Sequence, residues 1–373
     1  MKTTRFLICE LLFHPWWQTV CGLVLAGGLL LSSCIKEGDT VYMPDPTEET
    51  ASTAPLVTVI YGPGDLGDRR YCDLIYTAVE RAAATYGLRT MQLSPQSFDE
   101  GIRYLEMMFS QMSAATDTVR RLFIVPQPAY DEYLRANSNR LEDNPYADLL
   151  YLETPTPLAG KGSTLYMPYY GAMFEAGALT ALDDARVMLA GANPHNASVV
   201  EAMQGFADGF AADDAASSGQ RVERELRTVY LSGRADGGFS IADTTAMRLI
   251  DEWTHEDFGY LVPVCGGSFN TFSRLNMTMN WPFLMIGIDA DDHAYFIPFT
   301  AVKHIDHAVM RCIGQWLSPD GMPKHQVLGL ADGYTEVAKH WEWALVDVPD
   351  ASRLDAIHEE AVRRENEKVK SEE

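Results

Sequence analysis

Basic residues are scarce. Lys and Arg number 29 against 52 Asp and Glu, a formal charge of −23 over 373 residues. No basic stretch follows the first few residues. Nucleic acid and anionic lipid surfaces need a positive field, so neither is expected as a partner. Cysteine is also scarce, with six in all. Cys72, Cys265 and Cys312, in the body of the chain, form no CxxC and no short ligand spacing. Their odd count leaves at least one free thiol, and all three read as small buried hydrophobes. HExxH and a GxSxG elbow are both missing, and no Ser/His/Asp or Cys/His set presents itself. The chemistry expected is therefore binding, with no catalytic residue, cofactor or metal assigned.

What is present is ordinary globular composition, with 47% apolar and 10% aromatic residues. That excludes a disordered or fibrous chain. Lys2 and Arg5 precede an apolar run, GLVLAGGLLL, from Gly22 to Leu31. The run is shorter than the about 20 residues a membrane span needs. It reads as a secretory signal over 1–33. LSSC, Leu31 to Cys34, follows and resembles the lipobox of bacterial lipoproteins, which implies cleavage before Cys34 and its lipidation. The alternatives are an uncleaved anchor or a different start codon, with Cys34 an ordinary thiol. Several acyl chains at about 0.8 kcal/mol per buried CH₂ anchor firmly. Localisation in the cell envelope follows, on the periplasmic face of the inner or outer membrane or on the cell surface. Residues 34–54, rich in Asp, Glu, Pro, Ser and Thr, form a tether.

Beyond the tether, short apolar strands alternate with helices. LVTVIY (Leu56 to Tyr61) is a buried strand, and CDLIYTAVERAAATY (Cys72 to Tyr86) an amphipathic helix stopped by Gly87. Further strands are expected at 120–126, 186–190, 228–232, 259–264 and 283–288, and helices at 199–210, 243–253 and 305–317. This order predicts an α/β fold of two Rossmann-like lobes with mostly parallel sheets. A (β/α)₈ barrel is the competing arrangement. The charged tail, 346–373, is expected to be a solvated terminal helix or disordered.

Several residues are placed to meet a ligand. The turn GPGDLGD, Gly62 to Asp68, ends the first strand, where open α/β sheets bind ligands. Its glycines match GxGxxG, but Asp65 and Asp68 would repel a pyrophosphate. They suit hydroxyl or ring N–H donors instead. Tyr71 offers a flat face to a ring, or else packs on its own loop. In VPVCGGSFN, Val262 to Asn270, Gly266 and Gly267 allow close backbone approach or simply make a turn. Phe269 is a second stacking face or a core side chain. Asp289, in IGIDADD, stands past an apolar strand and can accept two sugar hydroxyls. Lys303, in FTAVKHID, can donate to a ring or sugar oxygen, or pair with Asp289 or Asp291. Asp291, Asp292, His293, His304 and His307 make a loose metal-ligand set without compact order.

Across about 56–342 the chain resembles the basic membrane protein family of ABC-transporter substrate-binding lipoproteins, to which purine nucleoside receptors belong. GDLGDRRYC, Gly64 to Cys72, is similar to the family's GxxDDKSFN segment, with Asp68, Arg69 and Tyr71 on its Asp, Lys and stacking Phe, and Cys72 in place of Asn. GANPHNASVVEAMQGFADGF, Gly191 to Phe210, is similar to the segment ending in FxxGF, where Phe206 and Gly209 read as packing. PVCGGSFN is similar to PVAGGxGxG, with Phe269 replacing the third Gly. IGIDADD is similar to VGVDxDQ, which places Asp289 on the sugar-binding carboxylate. AVKHIDHA, Ala301 to Ala308, places Lys303 on the ligand-binding lysine.

The resemblance implies a type I periplasmic-binding-protein fold, two lobes joined by hinge strands and closing over a small-molecule ligand. The first lobe would comprise 55–182 plus about 298–324, the second 183–297 plus about 325–345. Asp65, Asp68, Tyr71, Cys72, Gly266, Gly267, Phe269, Asp289 and Lys303 would line the cleft. The implied ligand is a purine nucleoside or similar polar ring compound, and the implied partner an ABC permease. Rival readings are a divergent sugar or metabolite binder, a surface or sensory lipoprotein without a transporter, and a nucleoside-processing enzyme.

Overall fold

The computed structural model describes residues 53–114, 118–183, 185–212, 224–280, 282–341 and 349–372. The expected signal over 1–33, the lipidated Cys34 and nearly all of the tether lie outside them. Among the described residues no helix is long and apolar enough to cross a membrane.

The strands, in chain order, are β1 (Leu56–Ile60), β2 (Arg89–Leu93), β3 (Arg121–Val125), β4 (Ala147–Leu152), β5 (Ser163–Tyr166), β6 (Arg186–Gly191), β7 (Glu225–Tyr230), β8 (Tyr260–Val264), β9 (Leu284–Met285), β10 (Gly287–Asp289), β11 (Phe299–Lys303), β12 (His325–Val327) and β13 (Thr335–Lys339). The helices are α1 (Tyr71–Tyr86), α2 (Phe98–Ala114), α3 (Asp131–Asn137), α4 (Tyr170–Thr180), α5 (Ala197–Ala212), α6 (Asp243–His255), α7 (Ser268–Thr278), α8 (Ile305–Leu317) and α9 (Ala351–Glu372).

The first lobe is built on a six-stranded parallel sheet of order β12-β5-β4-β3-β1-β2. Both faces of its centre are covered, so β1, β3 and β4 are mostly apolar runs rather than alternating, whereas the edge strands β2 and β12 are more polar. On β3, Leu122 and Ile124 join one core with α1 and α8, while Phe123 and Val125 join another with Phe109 of α2 and Leu134 of α3. Helix α1 buries Cys72, Ile75, Ala78, Val79 and Ala82, one stripe at helical spacing. It ends at Gly87, in the left-handed conformation, whose N–H closes on the Ala83 carbonyl.

The second lobe holds a four-stranded parallel sheet of order β7-β6-β8-β9. A three-stranded sheet, β10-β11-β13, shares its core: Phe299, Ala301 and Val337 pack in one cluster with Val187, Leu261 and Phe272. The chain passes between the lobes after β5, again between β11 and α8, and again between β12 and β13. Two α/β lobes are therefore present, as the strand and helix rhythm predicts.

Three expectations need correction. The apolar stretch 283–288 is not one strand but two, β9 and β10, each in its own sheet. Within the return expected at 298–324, α8 lies on the first lobe, but β11 belongs to the three-stranded sheet. Within 325–345, β12 pairs in parallel with β5 and so extends the first lobe, not the second. The reason is common to all three: a strand of two to five residues carries no periodicity that says which sheet it joins.

The terminal helix is docked rather than merely solvated. Ala361 and Glu365 of α9 are buried, and Leu354 and Ile357 pack against the second lobe. Glu365 accepts the backbone N–H groups of Gly171 at 2.8 Å and Leu330 at 2.7 Å. His358 contacts Glu175 of α4 at 2.8 Å, and Glu175 also takes Lys339 at 2.7 Å.

Candidate functional site

The turn between β1 and α1 is held by its own carboxylates. Asp68 receives N–H groups from Arg70 (2.8 Å), Cys72 (3.0 Å) and Asp73 (3.1 Å), a negative charge satisfying the orphan donors at a helix start. Asp65 accepts from Gly62 N at 2.6 Å and from Gln127 Nε2 at 2.5 Å. Burial pushes the Asp65 carboxyl up to about 6, against the pull of these two donors. Cys72 is part of the first lobe's core with Val59, Tyr61 and Ile75, and burial pushes its thiol well up. Asp65, Asp68 and Cys72 therefore shape the turn.

Arg70 carries that turn across to the second lobe. It is 2% exposed. Its Nη1 donates to the Ile288 carbonyl at 2.5 Å and its Nη2 pairs with Asp292 at 2.7 Å. Its guanidinium carbon lies 3.5 Å from the centre of the Phe269 ring, a cation–π contact. Asn270 adds a hydrogen bond to the Asp68 carbonyl at 2.6 Å. Gly267 sits against the same loop: a Cβ there would stand 3.7 Å from the Asp68 Cα. Gly266 is left-handed, with φ +51°. The two lobes are in contact along this edge. Phe269, fully buried, faces a guanidinium here instead of joining Tyr71 around a ring.

Beside this contact lies a cluster of buried polar groups. Lys303 Nζ is 3.1 Å from Glu153 Oε2, and the two side chains are 3% and 5% exposed. The ammonium stands 4.7 Å from the centre of the Tyr169 ring and 5.9 Å from that of Tyr71. Tyr169 donates its hydroxyl to the Ala301 carbonyl and accepts the Asp289 N–H at 2.8 Å. The Tyr71 hydroxyl and Glu153 Oε1 are buried and complete no well-formed hydrogen bond, although the phenol lies near the Glu153 carboxylate. Burial, then the negative charge of Glu153, holds the Tyr71 phenol well above its usual range, and Asp289 adds to it. Asp289 is pushed up to about 6 by burial, while Lys303 and Arg70 pull it down. Tyr71 and Asp289, from opposite lobes, thus act on one region.

The backbone is strained at this place. Arg69, Glu153 and Asp289 have φ of +54°, +59° and +60°. Such conformations are uncommon away from glycine and gather at ligand sites.

Among the expected residues, Tyr71, Asp289 and Lys303 come together in this cluster, and Gly266, Gly267 and Phe269 form the lobe contact beside it. Arg70, Glu153 and Tyr169 belong to the site and were not singled out in the sequence, and Asp292, named there only as a loose metal ligand, instead pairs with Arg70. Arg70 stood within the recognised GDLGDRRYC segment. Glu153 follows β4 with nothing in its neighbours to mark it. Cys265 is fully buried, and burial raises its thiol far above neutrality, so it is no nucleophile. The loose metal-ligand set separates: Asp291 and His293 gather with His340, whereas His304 and His307 gather with Asp306.

No family model and no curated protein matches the chain. Solved structures do. A solute-binding protein of an ABC transporter system from Aeropyrum pernix is 16% identical, covers 85% of this chain and 90% of its own, and gives a TM-score of 0.62. A transcriptional activator of the comK gene from Bacillus halodurans is 15% identical, with 85% and 99% covered and a TM-score of 0.58. An ABC transporter solute-binding protein from Burkholderia graminis, in complex with D-arabinose, is 12% identical, with 78% and 96% covered and a TM-score of 0.56. The fold is therefore that of the two-lobe type I periplasmic binding proteins. At these identities the likeness speaks for the fold alone.

Proposed function

We propose that the chain is a solute-binding lipoprotein of the cell envelope, anchored through Cys34, that captures a purine nucleoside between its lobes and presents it to an ABC permease. One observation carries this reading. Tyr71, Glu153, Asp289 and Lys303 converge where the lobes meet, and two of their polar atoms are buried without a well-formed hydrogen bond. A buried polar atom lacking a partner costs about 1–3 kcal/mol, so the Glu153 oxygen calls for a ligand donor and the Tyr71 hydroxyl for a ligand acceptor. The carboxylates of Glu153 and Asp289 suit ribose hydroxyls, Lys303 suits a ring or sugar oxygen, and Tyr71 offers its ring face. The resemblance of IGIDADD and AVKHIDHA to the nucleoside-receptor segments supports the same assignment.

A second reading has its own observation. The face of Phe269 is covered by Arg70, which leaves one aromatic face rather than two for a planar base. A sugar needs the carboxylates and the lysine but no sandwich. The neighbour bound to D-arabinose belongs with this alternative. Under either reading the ligand leaves unchanged, since the carboxylates act as acceptors and not as a catalytic pair.

Calorimetry of the full chain in detergent tests both. The expected result is heat with inosine, guanosine or adenosine, abolished in Asp289→Asn. Heat with ribose or arabinose alone would move the assignment to the sugar. Silence with all of them, from folded protein, would overturn the binding site. Chromatography of inosine after incubation should find no hypoxanthine.

A further inference from the structure

We propose that Asp291, His293 and His340 form a binding site for a divalent transition-metal ion of the zinc type. The ion would sit beside the cleft, on the segment that grips Arg70. The inference does not depend on the ligand.

Asp291 and His293 lie just past β10, and His340 follows β13. Asp291 Oδ1 is 2.7 Å from His340 Nε2, and Oδ2 is 3.1 Å from His293 Nε2. The imidazole centres are 4.3 Å apart, with planes tilted by 52°. Both rings thus turn the same nitrogen toward one carboxylate, and the three ligand atoms lie within 4.8 Å of one another. A tetrahedral zinc ion with bonds of about 2.0–2.1 Å holds its ligands roughly 3.3 Å apart. The two carboxylate–imidazole pairs, at 2.7 and 3.1 Å, would widen by about 0.2–0.6 Å to admit the ion, and the side chain able to move is there. His293 is 62% exposed and free to turn, whereas His340 is 8% exposed. The His340 backbone N–H is bonded to the Pro298 carbonyl at 2.8 Å.

The donor set selects the ion. Two imidazoles with one carboxylate suit zinc and its neighbours, while magnesium and calcium prefer oxygen alone. Three protein ligands leave a fourth position for water. The other histidine group is a poorer candidate. His304 is already paired with Glu336 at 2.9 Å, and the His304 and His307 rings are stacked, 5.2 Å apart with planes 10° from parallel.

The consequence reaches the cleft. Asp292, between the two ligands in sequence, holds Arg70, and Asp289 stands a few residues earlier. An ion joining Asp291 and His293 to His340 fixes this segment against β13. It would restrict the motion by which Asp292 and Arg70 part when the lobes open.

The test uses the full untagged chain in detergent, stripped with EDTA and titrated with Zn²⁺ alone. Cobalt is a second probe, read by the visible absorption of tetrahedral Co²⁺. One Zn²⁺ per chain is expected. His293→Gln and Asp291→Asn, both at partly exposed positions, should each weaken binding by at least about tenfold, the lower bound for losing even an outer-shell partner. His304→Gln should leave it unchanged, and excess Mg²⁺ should not compete. No Zn²⁺ uptake by folded protein would overturn the proposal. So would affinity unmoved in both His293→Gln and Asp291→Asn, or affinity that follows His304 instead. Because the titration contains no nucleoside or sugar, its failure is separate from failure of the proposed function.

Discussion

The guanidinium of Arg70 in the first lobe stands over the ring of Phe269 in the second, 3.5 Å from carbon to ring centre. Phe269 is fully buried and Arg70 nearly so. The contact does what a planar ligand would do in such a cleft: it covers an aromatic face and satisfies acceptors around it. Ile288 and Asp292 are those acceptors. Arg70 therefore closes this edge of the cleft from within.

Removing the guanidinium leaves the Ile288 carbonyl without its donor and Asp292 without its cation. Arg70→Ala should lower stability by about 2–3 kcal/mol, the range for a hydrogen-bonded charge pair that loses one member. Arg70→Lys should recover little of this. An ammonium cannot reach both acceptors in a planar fork, nor cover the ring face as a guanidinium does. Urea unfolding with shared slopes measures both. Equal midpoints for wild type and Arg70→Ala would show that the interlobe contact contributes nothing.

The Lys303–Glu153 pair is more deeply buried. Lys303→Met should cost about 3–5 kcal/mol, because it strands a buried carboxylate. Adding Glu153→Leu should return much of that loss, since a buried pair replaced by apolar groups is often neutral. A double-mutant cycle reads the coupling directly. Additive losses would mean that the two side chains do not depend on each other.

The long elements were legible because their periodicity is strong. Helix α8 runs from Ile305 to Leu317 as its apolar spacing predicts, and α1 begins one residue before its expected start. Buried strands such as β1 and β6 stood out for the same reason. The helices α2, α3, α4 and α7 and the strands β2, β4, β5, β12 and β13 lie outside the expected elements. The site was legible in part. Tyr71, Asp289 and Lys303 follow recognisable apolar strands or open a helix, where α/β sheets expose side chains. Glu153 was not legible, because its importance comes from a left-handed backbone and a lysine 150 positions away. Arg70 was passed over for Arg69, since which of two adjacent arginines points inward is settled by the turn and not by the sequence.

Gly209 was expected to serve packing, and its surroundings make that quantitative. Helices α4 and α5 cross so closely that a Cβ on Gly209 would fall on the Phe174 carbonyl oxygen. Gly177 meets Phe206 in the same way from the other helix. The obstruction is backbone, so no side chain can turn aside to relieve it. Gly209→Ala should cost at least the 1–3 kcal/mol of a typical overpacked core, despite alanine's better helix propensity. A rise in melting temperature would show that the helices separate freely.

Glu365 gives the chain a pH dependence of defined sign. Burial pushes its carboxyl up to about 7, although the N–H groups of Leu330 and Gly171 pull the other way. In the unfolded chain a glutamate titrates near 4.3. Between these values the folded state holds more protons than the unfolded, so stability falls as pH rises. The contribution is fully present below about 4.3 and is lost as pH passes through about 7. The full shift corresponds to roughly 3–4 kcal/mol. Asp65 and Asp289, pushed up to about 6, add slopes of the same sign. Glu365→Gln cannot ionise and keeps an oxygen for one of the two amides. It should flatten the decline between pH 5 and about 7 and raise stability at pH 8 relative to wild type. Urea unfolding at pH 4.5, 6 and 8 measures this. Parallel curves for the two proteins would mean that α9 is not held at the hinge by a proton-sensitive contact.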